Sequence, residues 1–216
     1  IKQIQVKKKE NKKILYKSPN KEKKSYDNFI IEDNENFLVI NKPSGIAVQS
    51  GTKSFKNIID ILKDTKYFLN SKPYIVHRID KETSGVLIVA KNRKYAQLFT
   101  SLFRIRKIHK TYLAIVYGKF SEKIKKLEDD LIIYDNKKKN IQKAITNIKI
   151  IKSNDNFSLL ELNPITGRKH QLRKQLSFIE KPIIGDNKYN IKKIKSKSSL
   201  KLHAFKIKFM INDKKY

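Results

Sequence analysis

The chain has 216 residues, enough for one substantial domain or one domain with a small appendage. Its 50 Lys and Arg against 20 Asp and Glu give a formal charge of +30, which points to a polyanionic partner, most commonly nucleic acid. The absence of cysteine excludes disulfides and thiolate metal sites, and no apolar run approaches the roughly 20 residues that span a bilayer.

Lysine dominates Ile1 to Lys24, with only scattered apolar residues such as Ile4, Val6 and Ile14. The stretch reads as a solvated tail or as a basic arm that tracks phosphates, and we take residues 1–26 as this arm and 27–216 as the main domain. The abundance of Lys, Asn and Ile also fits coding DNA of biased composition, to which roughly a third of the charge excess is assigned. The basic N-terminus has no apolar h-region, and because it begins with Ile rather than Met a targeting segment is left open.

Phe29–Ile31 and Phe37–Ile40 read as two strands with an acidic, Asn-rich turn between them. Asn41-Lys42-Pro43-Ser44-Gly45 must form a loop, since Pro43 and Gly45 break the strand. Ser54 to Leu69 has helical spacing, with Ile58, Ile59, Ile61 and Leu62 on one face, and ends before Pro73. Val86-Leu87-Ile88-Val89-Ala90 then reads as a core strand. The loop that feeds it, Val76-His77-Arg78-Ile79-Asp80-Lys81-Glu82-Thr83-Ser84-Gly85, carries ionisable groups on a rigid support, and its acid Asp80 stands out in so basic a chain. Lys94 to Phe103 reads as a helix with Ala96, Leu98, Phe99 and Leu102 towards the core.

Arg104 to Gly118 opens basic and becomes a strand over Tyr112–Tyr117. On its residues alone Tyr112 is a core aromatic with a satisfied hydroxyl. Ser121 to Asn140 is charged and expected to vary in conformation, with a short strand at Leu131–Tyr134. Ala144–Ile151 and Phe157–Leu162 form an antiparallel pair about the Ser153–Asn156 turn. Thr166-Gly167-Arg168 turns into a helix with Leu172, Leu176 and Ile179 on one side, its first turn favouring anions. Ile191 to Leu200 is a basic loop, and Phe205 to Met210 a last strand. His77, His109, His170 and His203 lack any metal-ligand spacing, so no metal is expected. Taken singly, Asp80 is a turn-capping acid and His77 an ordinary polar residue. Asp80 and Glu82 could mimic a glycosidase pair, but they stand two residues apart on one loop.

Taken together these segments carry a resemblance. His77-Arg78-Ile79-Asp80-x-x-Thr83-Ser84-Gly85 resembles the signature of the RluA-type pseudouridine synthases, with Ile79 where leucine is usual. Lys110-x-Tyr112-Leu113-Ala114 with Gly118, Thr166-Gly167-Arg168-x-His170-Gln171-Leu172-Arg173, Pro182-Ile183-x-Gly185-Asp186-x-x-Tyr189 and Leu202-His203-Ala204 are similar to further motifs of that family, in its order. Asn41-Lys42-Pro43-x-Gly45 is similar to a family segment near the active site. Gln175 departs from the pattern at a common histidine, expected to affect a peripheral contact. The resemblance runs from about Phe37 to Phe209, and it offers a third reading of residues 1–26, as the remnant of an upstream S4-like RNA-binding domain. It agrees with the strand-rich pattern on an α+β fold: a largely antiparallel mixed β-sheet with flanking helices and a central basic cleft.

The implied reaction breaks the N1–C1′ bond of a uridine, turns the uracil and joins C5 to C1′, with no cofactor. It needs a carboxylate acting on the ribose as nucleophile or base in a site that excludes water, and Asp80 is the candidate. Burial favours a neutral carboxyl, so a cation should lie beside a catalytic carboxylate; the resemblance assigns this to Arg173, whose fork can grip it at two points. Tyr112 would stack on the base or remove the C5 proton. Arg78 would fill the space the flipped base leaves, at an unstacking cost of a few kcal/mol. Arg168 would hold phosphate, and His77, Thr83, Asn41 and Lys42 complete the expected substrate-binding set. The expected partner is RNA, ribosomal RNA of the large subunit first and transfer RNA second, with no membrane, no metal and a monomeric chain. The expected location is cytoplasmic for a bacterial source and organellar (apicoplast or mitochondrion) for a eukaryotic parasite. The alternative from a different class is a non-catalytic, ribosome-associated RNA-binding protein.

Overall fold

A computed structural model describes residues 26–50, 56–135, 138–190 and 198–216. The expected arm and most of the loop before Leu200 lie outside the described residues. In chain order the strands are β1 (Ile30–Asp33), β2 (Phe37–Lys42), β3 (Tyr74–Ile75), β4 (Ser84–Ala90), β5 (His109–Tyr117), β6 (Lys126–Asp135), β7 (Lys138–Ser153), β8 (Phe157–Pro164), β9 (Leu202–Lys208), β10 (Met210–Ile211) and β11 (Lys214–Lys215). The α-helices are α1 (Ile58–Lys63), α2 (Arg93–Arg104) and α3 (Gln171–Phe178). Nine strands form one sheet in the order β1-β2-β4-β9-β5-β8-β7-β6, with β3 also on β4. Every pairing is antiparallel except β4 with β9. This is the α+β architecture expected.

β4 is apolar at consecutive positions because both of its faces are covered. Leu87 and Val89 join Leu38 and Ile40 of β2 against Ile58, Ile61 and Leu62 on and beside α1. Ile88 and Ala90 join Phe37 and Val39 against Phe99 of α2. Each such side chain contributes about 1.5–3 kcal/mol when fully buried. A third cluster packs Leu172 and Leu176 of α3 on Ala114, Val116, Leu160 and Leu162. Tyr112 touches both the α1 cluster and the α3 cluster, so it stands at their seam.

Gly85 is what brings the two halves of the sheet together. It has φ +111°, and a Cβ there would lie 2.2 Å from the Ala204 carbonyl oxygen. Only glycine lets β9 run beside β4 at the Ser84–His203 and Gly85–Ala204 pairs. β2 occupies the other edge of β4 from Gly85 to Ala90, so β3 shares the β9 edge, at Val89 and Ala90. The chain between β3 and β4 therefore emerges at the middle of the sheet.

Three expectations change. The helix expected over Ser54–Leu69 is α1 alone, begun by Asn57 and stopped where the Thr65 hydroxyl donates to the Leu62 carbonyl at 2.7 Å; Lys66–Phe68 is a separate 3-10 turn, and residues 51–55 lie outside the described set. The variable segment expected over Ser121–Asn140 contains most of a long hairpin, β6 with β7. Its charge hides a period of two: Leu127 and Leu131 turn inward, while Glu128 faces out to Lys126 and Lys143. The last strand starts at Leu202 rather than Phe205, because β9 borrows its ladder from β5.

Candidate active site

The loop bearing Asp80 is strapped down from below. Lys42 Nζ donates to the carbonyls of Pro43 (2.8 Å), Ile46 (2.8 Å) and Lys81 (3.2 Å). Gly45 N donates to the Lys81 carbonyl at 2.9 Å, and Ser44 Oγ to the Glu82 carbonyl at 2.6 Å. Asn41-Lys42-Pro43-Ser44-Gly45 is thus a clasp on the backbone of the Asp80 loop. Lys42 is fully buried with every ammonium hydrogen committed, so the structure makes it a scaffold group instead of a substrate contact. Burial draws its pKa down to about 8, against the pull of Glu82 and Asp80. Asn41 lies exposed on β2 opposite Val86.

His77 closes a gap in the sheet. Between the β9 and β3 pairings the edge of β4 has no strand, and Ile88 N donates instead to His77 Nε2 at 2.9 Å. The ring packs on Phe103 with centroids 4.6 Å apart. An imidazole accepting at Nε2 must be neutral there, and burial, then the charge of Lys110, lower its pKa to about 3. Between that value and 6.5 the unfolded chain takes up a proton that the folded chain refuses, so this group's stability is lost as pH falls below about 6.5. We expect His77→Gln, which keeps an acceptor, to flatten the drop in melting temperature between pH 7.5 and pH 5. An unchanged drop would remove His77 as its source.

Asp80 meets its cation from α3. Arg173 NH1 lies 3.3 Å from Asp80 Oδ2 and 3.6 Å from Glu82 Oε2. The two-point grip, however, is on Asp186: Nε to Oδ2 at 2.8 Å and NH2 to Oδ1 at 2.9 Å. This corrects the expectation that the fork holds Asp80. The buried Asp186 occupies the Nε/NH2 edge of the planar guanidinium, and NH1 alone reaches the loop. Burial pushes Asp186 up, but Arg173 and the amides of Lys188 and Tyr189 outweigh it and hold the carboxyl below its usual range. Burial likewise opposes the charge of Arg173, and Asp186 with Asp80 more than offsets it.

His170 and Tyr189 complete this corner. His170, in the left-handed conformation at φ 55°, places Nε2 3.7 Å from Asp80 Oδ1 and bonds Nδ1 to the Tyr189 hydroxyl at 2.7 Å. Burial lowers its pKa most, with Asp80 opposing and Arg173 assisting. Tyr189 lies under the Arg173 guanidinium at 5.2 Å.

The Thr-Gly-Arg turn is fixed through Gln171. Its Oε1 accepts from Thr166 Oγ1 (2.7 Å) and Arg168 N (3.0 Å), while its Nε2 donates to the Ile145 carbonyl (3.1 Å) and Thr146 Oγ1 (2.9 Å). Arg168 Nε donates to the Lys143 carbonyl at 3.0 Å. Gln175, expected at a peripheral contact, is fully buried and bonds Thr146, Asp129 and the Ala144 carbonyl, tying α3 to the β6–β7 hairpin.

Above Asp80 lie two adjoining cavities, of about 680 Å³ and 1000 Å³, which share Arg78, Asp80, Arg168, His170 and Arg173. The first has mixed walls, apolar side chains alternating with arginines such as Arg104 and Arg106, and holds Tyr112, Thr83 and Lys110; the second is edged by Lys81, Lys169 and Lys188. Thr83 Oγ1 is buried and makes no hydrogen bond among the described residues. Tyr112 has its pKa raised by burial and then by Asp80, which keeps the phenol neutral and disfavours a phenolate base.

Residues 36–178 match the family model described as RNA pseudouridylate synthase. The chain belongs to that family. Among relatives of this synthase fold, ribosomal large subunit pseudouridine synthase C of Buchnera aphidicola is 37% identical over 199 residues, covering 85% of this chain and 63% of that protein. The enzyme of the same name from Rickettsia bellii is 38% identical over 195 residues, covering 84% and 64%. The chain thus spans somewhat less than two thirds of the length of these relatives. Among solved structures, human RNA pseudouridylate synthase domain containing 4 superposes with a TM-score of 0.73 at 30% identity, over 88% of this chain and 87% of that one.

Around the two cavities the structure brings together Asp80, Tyr112, Arg173, Arg78, Arg168, Thr83 and His77, and leaves Asn41 and Lys42 outside. Asp186, His170, Tyr189 and Lys110 were absent from the expected set, although each lies in one of the motifs that carry the resemblance. The signal available was an acid and a tyrosine three residues apart, Asp186-x-x-Tyr189, just past a helix whose arginine is buried.

Proposed function

We propose that the chain isomerises specific uridines to pseudouridine in large-subunit ribosomal RNA. The observation that carries this reading is one carboxylate, Asp80, at the floor of a strongly basic cleft, beside a guanidinium already anchored elsewhere. A flipped nucleotide would put its ribose over Asp80 and its uracil against Tyr112. Asp80 then attacks C1′, or takes the proton from C2′, and the C1′–N1 electrons leave with the uracil. The uracil turns in the recess, and C5 bonds to C1′ as the Asp80–C1′ bond breaks or, in the second route, as Asp80 returns its proton to C2′; the C5 proton is then lost while N1 gains one. Atoms and charge balance without a cofactor. Arg78, Arg168 and the surrounding lysines supply phosphate affinity, which should fall steeply with salt. The names of the relatives support ribosomal RNA of the large subunit as the substrate.

The test is a chemical map of pseudouridine in total RNA from cells with and without this protein. We expect one or a few large-subunit sites to disappear. Loss confined to transfer RNA would move the substrate, and an unchanged map would favour the non-catalytic RNA-binding alternative.

A further inference from the structure

The cations of the cleft are not equivalent. Arg173 is engaged by Asp186, Asp80 and Glu82, Lys42 by backbone carbonyls, and Arg168 in part by the Lys143 carbonyl. Arg78 is exposed. Lys110 differs from all of them: it is half-buried in the first cavity and makes no hydrogen bond or ion pair among the described residues. It stands on β5 two positions before Tyr112, so both side chains line that cavity from one strand. The cavity walls around it include Val76, Phe103, Ile108 and Ile165. Gly167 covers it from the Thr-Gly-Arg turn, where even a Cβ would come within 3.5 Å of Lys110 Nζ.

An under-solvated cation with no counter-ion is costly unless a negative charge arrives. Burial indeed lowers the pKa of Lys110, and its charge is felt at His77. A phosphate approaching this cavity would meet the exposed Arg78, Arg104 and Arg106 first. The charge that arises inside the recess, beside the tyrosine on which the base rests, is that of the base itself. Whether Asp80 attacks C1′ or removes the C2′ proton, the electron pair of the C1′–N1 bond leaves on the uracil. That pair spreads over N1, O2 and O4 until the new C5–C1′ bond consumes it.

We propose that Lys110 is a catalytic residue whose ammonium donates a hydrogen bond to the departing uracil anion and stabilises it until C5 bonds to C1′. No proton need be transferred; the group acts by its fixed charge from a half-buried position. The inference rests on the synthase activity proposed above.

The experiment compares wild type, Lys110→Met and Lys110→Arg in single turnover, on transcripts of the source organism's large-subunit ribosomal RNA made with uridine or with 5-fluorouridine. Fluorine stabilises the uracil anion chemically, so it should replace part of what Lys110 supplies. We expect Lys110→Met to slow consumption of uridine at saturating RNA by about 100-fold, with RNA affinity little changed. For 5-fluorouridine the defect should shrink by about tenfold, and Lys110→Arg should recover part of the rate, since both follow from charge stabilisation. An equal defect for both bases, or a loss confined to affinity, would make Lys110 a phosphate anchor and overturn the proposal. If the Met variant does not fold, Lys110→Gln carries the same comparison. Wild type that leaves both transcripts unchanged would overturn the proposed function itself, an outcome distinct from a variant that ignores fluorine.

Discussion

Asp80→Asn should lower product formation by at least about 1,000-fold while leaving RNA binding and melting temperature near wild type. Loss of activity is expected because an amide is neither a competent nucleophile towards C1′ nor a base for the C2′ proton. Retention of the fold follows from the geometry at Arg173. The guanidinium keeps its bidentate partner Asp186, so the substitution leaves no buried charge unpaired. Retention of binding follows from charge, since removing an anion from a cleft lined by Arg78, Arg168 and lysines can only favour a polyanion. Single-turnover assays and filter binding on one transcript would measure both. An active Asp80→Asn enzyme would sink the mechanism, and an inactive variant that no longer binds RNA would shift Asp80 from chemistry to architecture.

Asp186→Asn should do the reverse, acting on stability first. Arg173 is buried, and its other carboxylates lie at 3.3 and 3.6 Å, each reached only through NH1. Breaking one side of a buried ion pair typically costs about 3–5 kcal/mol. In a chain of this size that is a fall of roughly 6–20 °C in melting temperature. The freed guanidinium should also swing towards Asp80, so the activity that survives should be lower per folded molecule. The pH dependence has a definite sign. The Asp186 carboxyl is held below its usual value, so its contribution is complete above about pH 4 and is lost only as pH falls through the lowered value. Wild type should therefore lose this contribution in acid, and Asp186→Asn should show a smaller loss there. A variant melting with wild type at neutral pH would show that the pair does not anchor α3.

Most of the sheet was legible because strand periodicity is local. β2, β4 and the β7–β8 pair fall where alternation or apolar runs placed them. The β6–β7 hairpin was not legible, because three consecutive acids, Glu128, Asp129 and Asp130, part the inward Leu127 from Leu131, and the run reads by composition as a solvated loop. The site was legible in part for a related reason. Asp80, Tyr112 and Arg173 are the residue types the chemistry requires, and each stands in a long motif. Lys42 stands in such a motif too, but for a different task. A buried lysine satisfied by carbonyls looks, in sequence, the same as one that faces a phosphate.

By itself the sequence determined the family, the α+β class, the basic character of the cleft and the carboxylate and cation that face each other across it. Those are matters of residue type and short-range order. Only the tertiary structure decided which carboxylate Arg173 grips, that His77 stands in for a missing strand, and that Lys110 has no counter-ion among the described residues. Each is a choice of partner among groups far apart in the chain. Burial makes that choice by raising the cost of every polar group left unpaired, and Asp186 takes the Nε/NH2 edge of Arg173 because it is the deepest of the three carboxylates within reach.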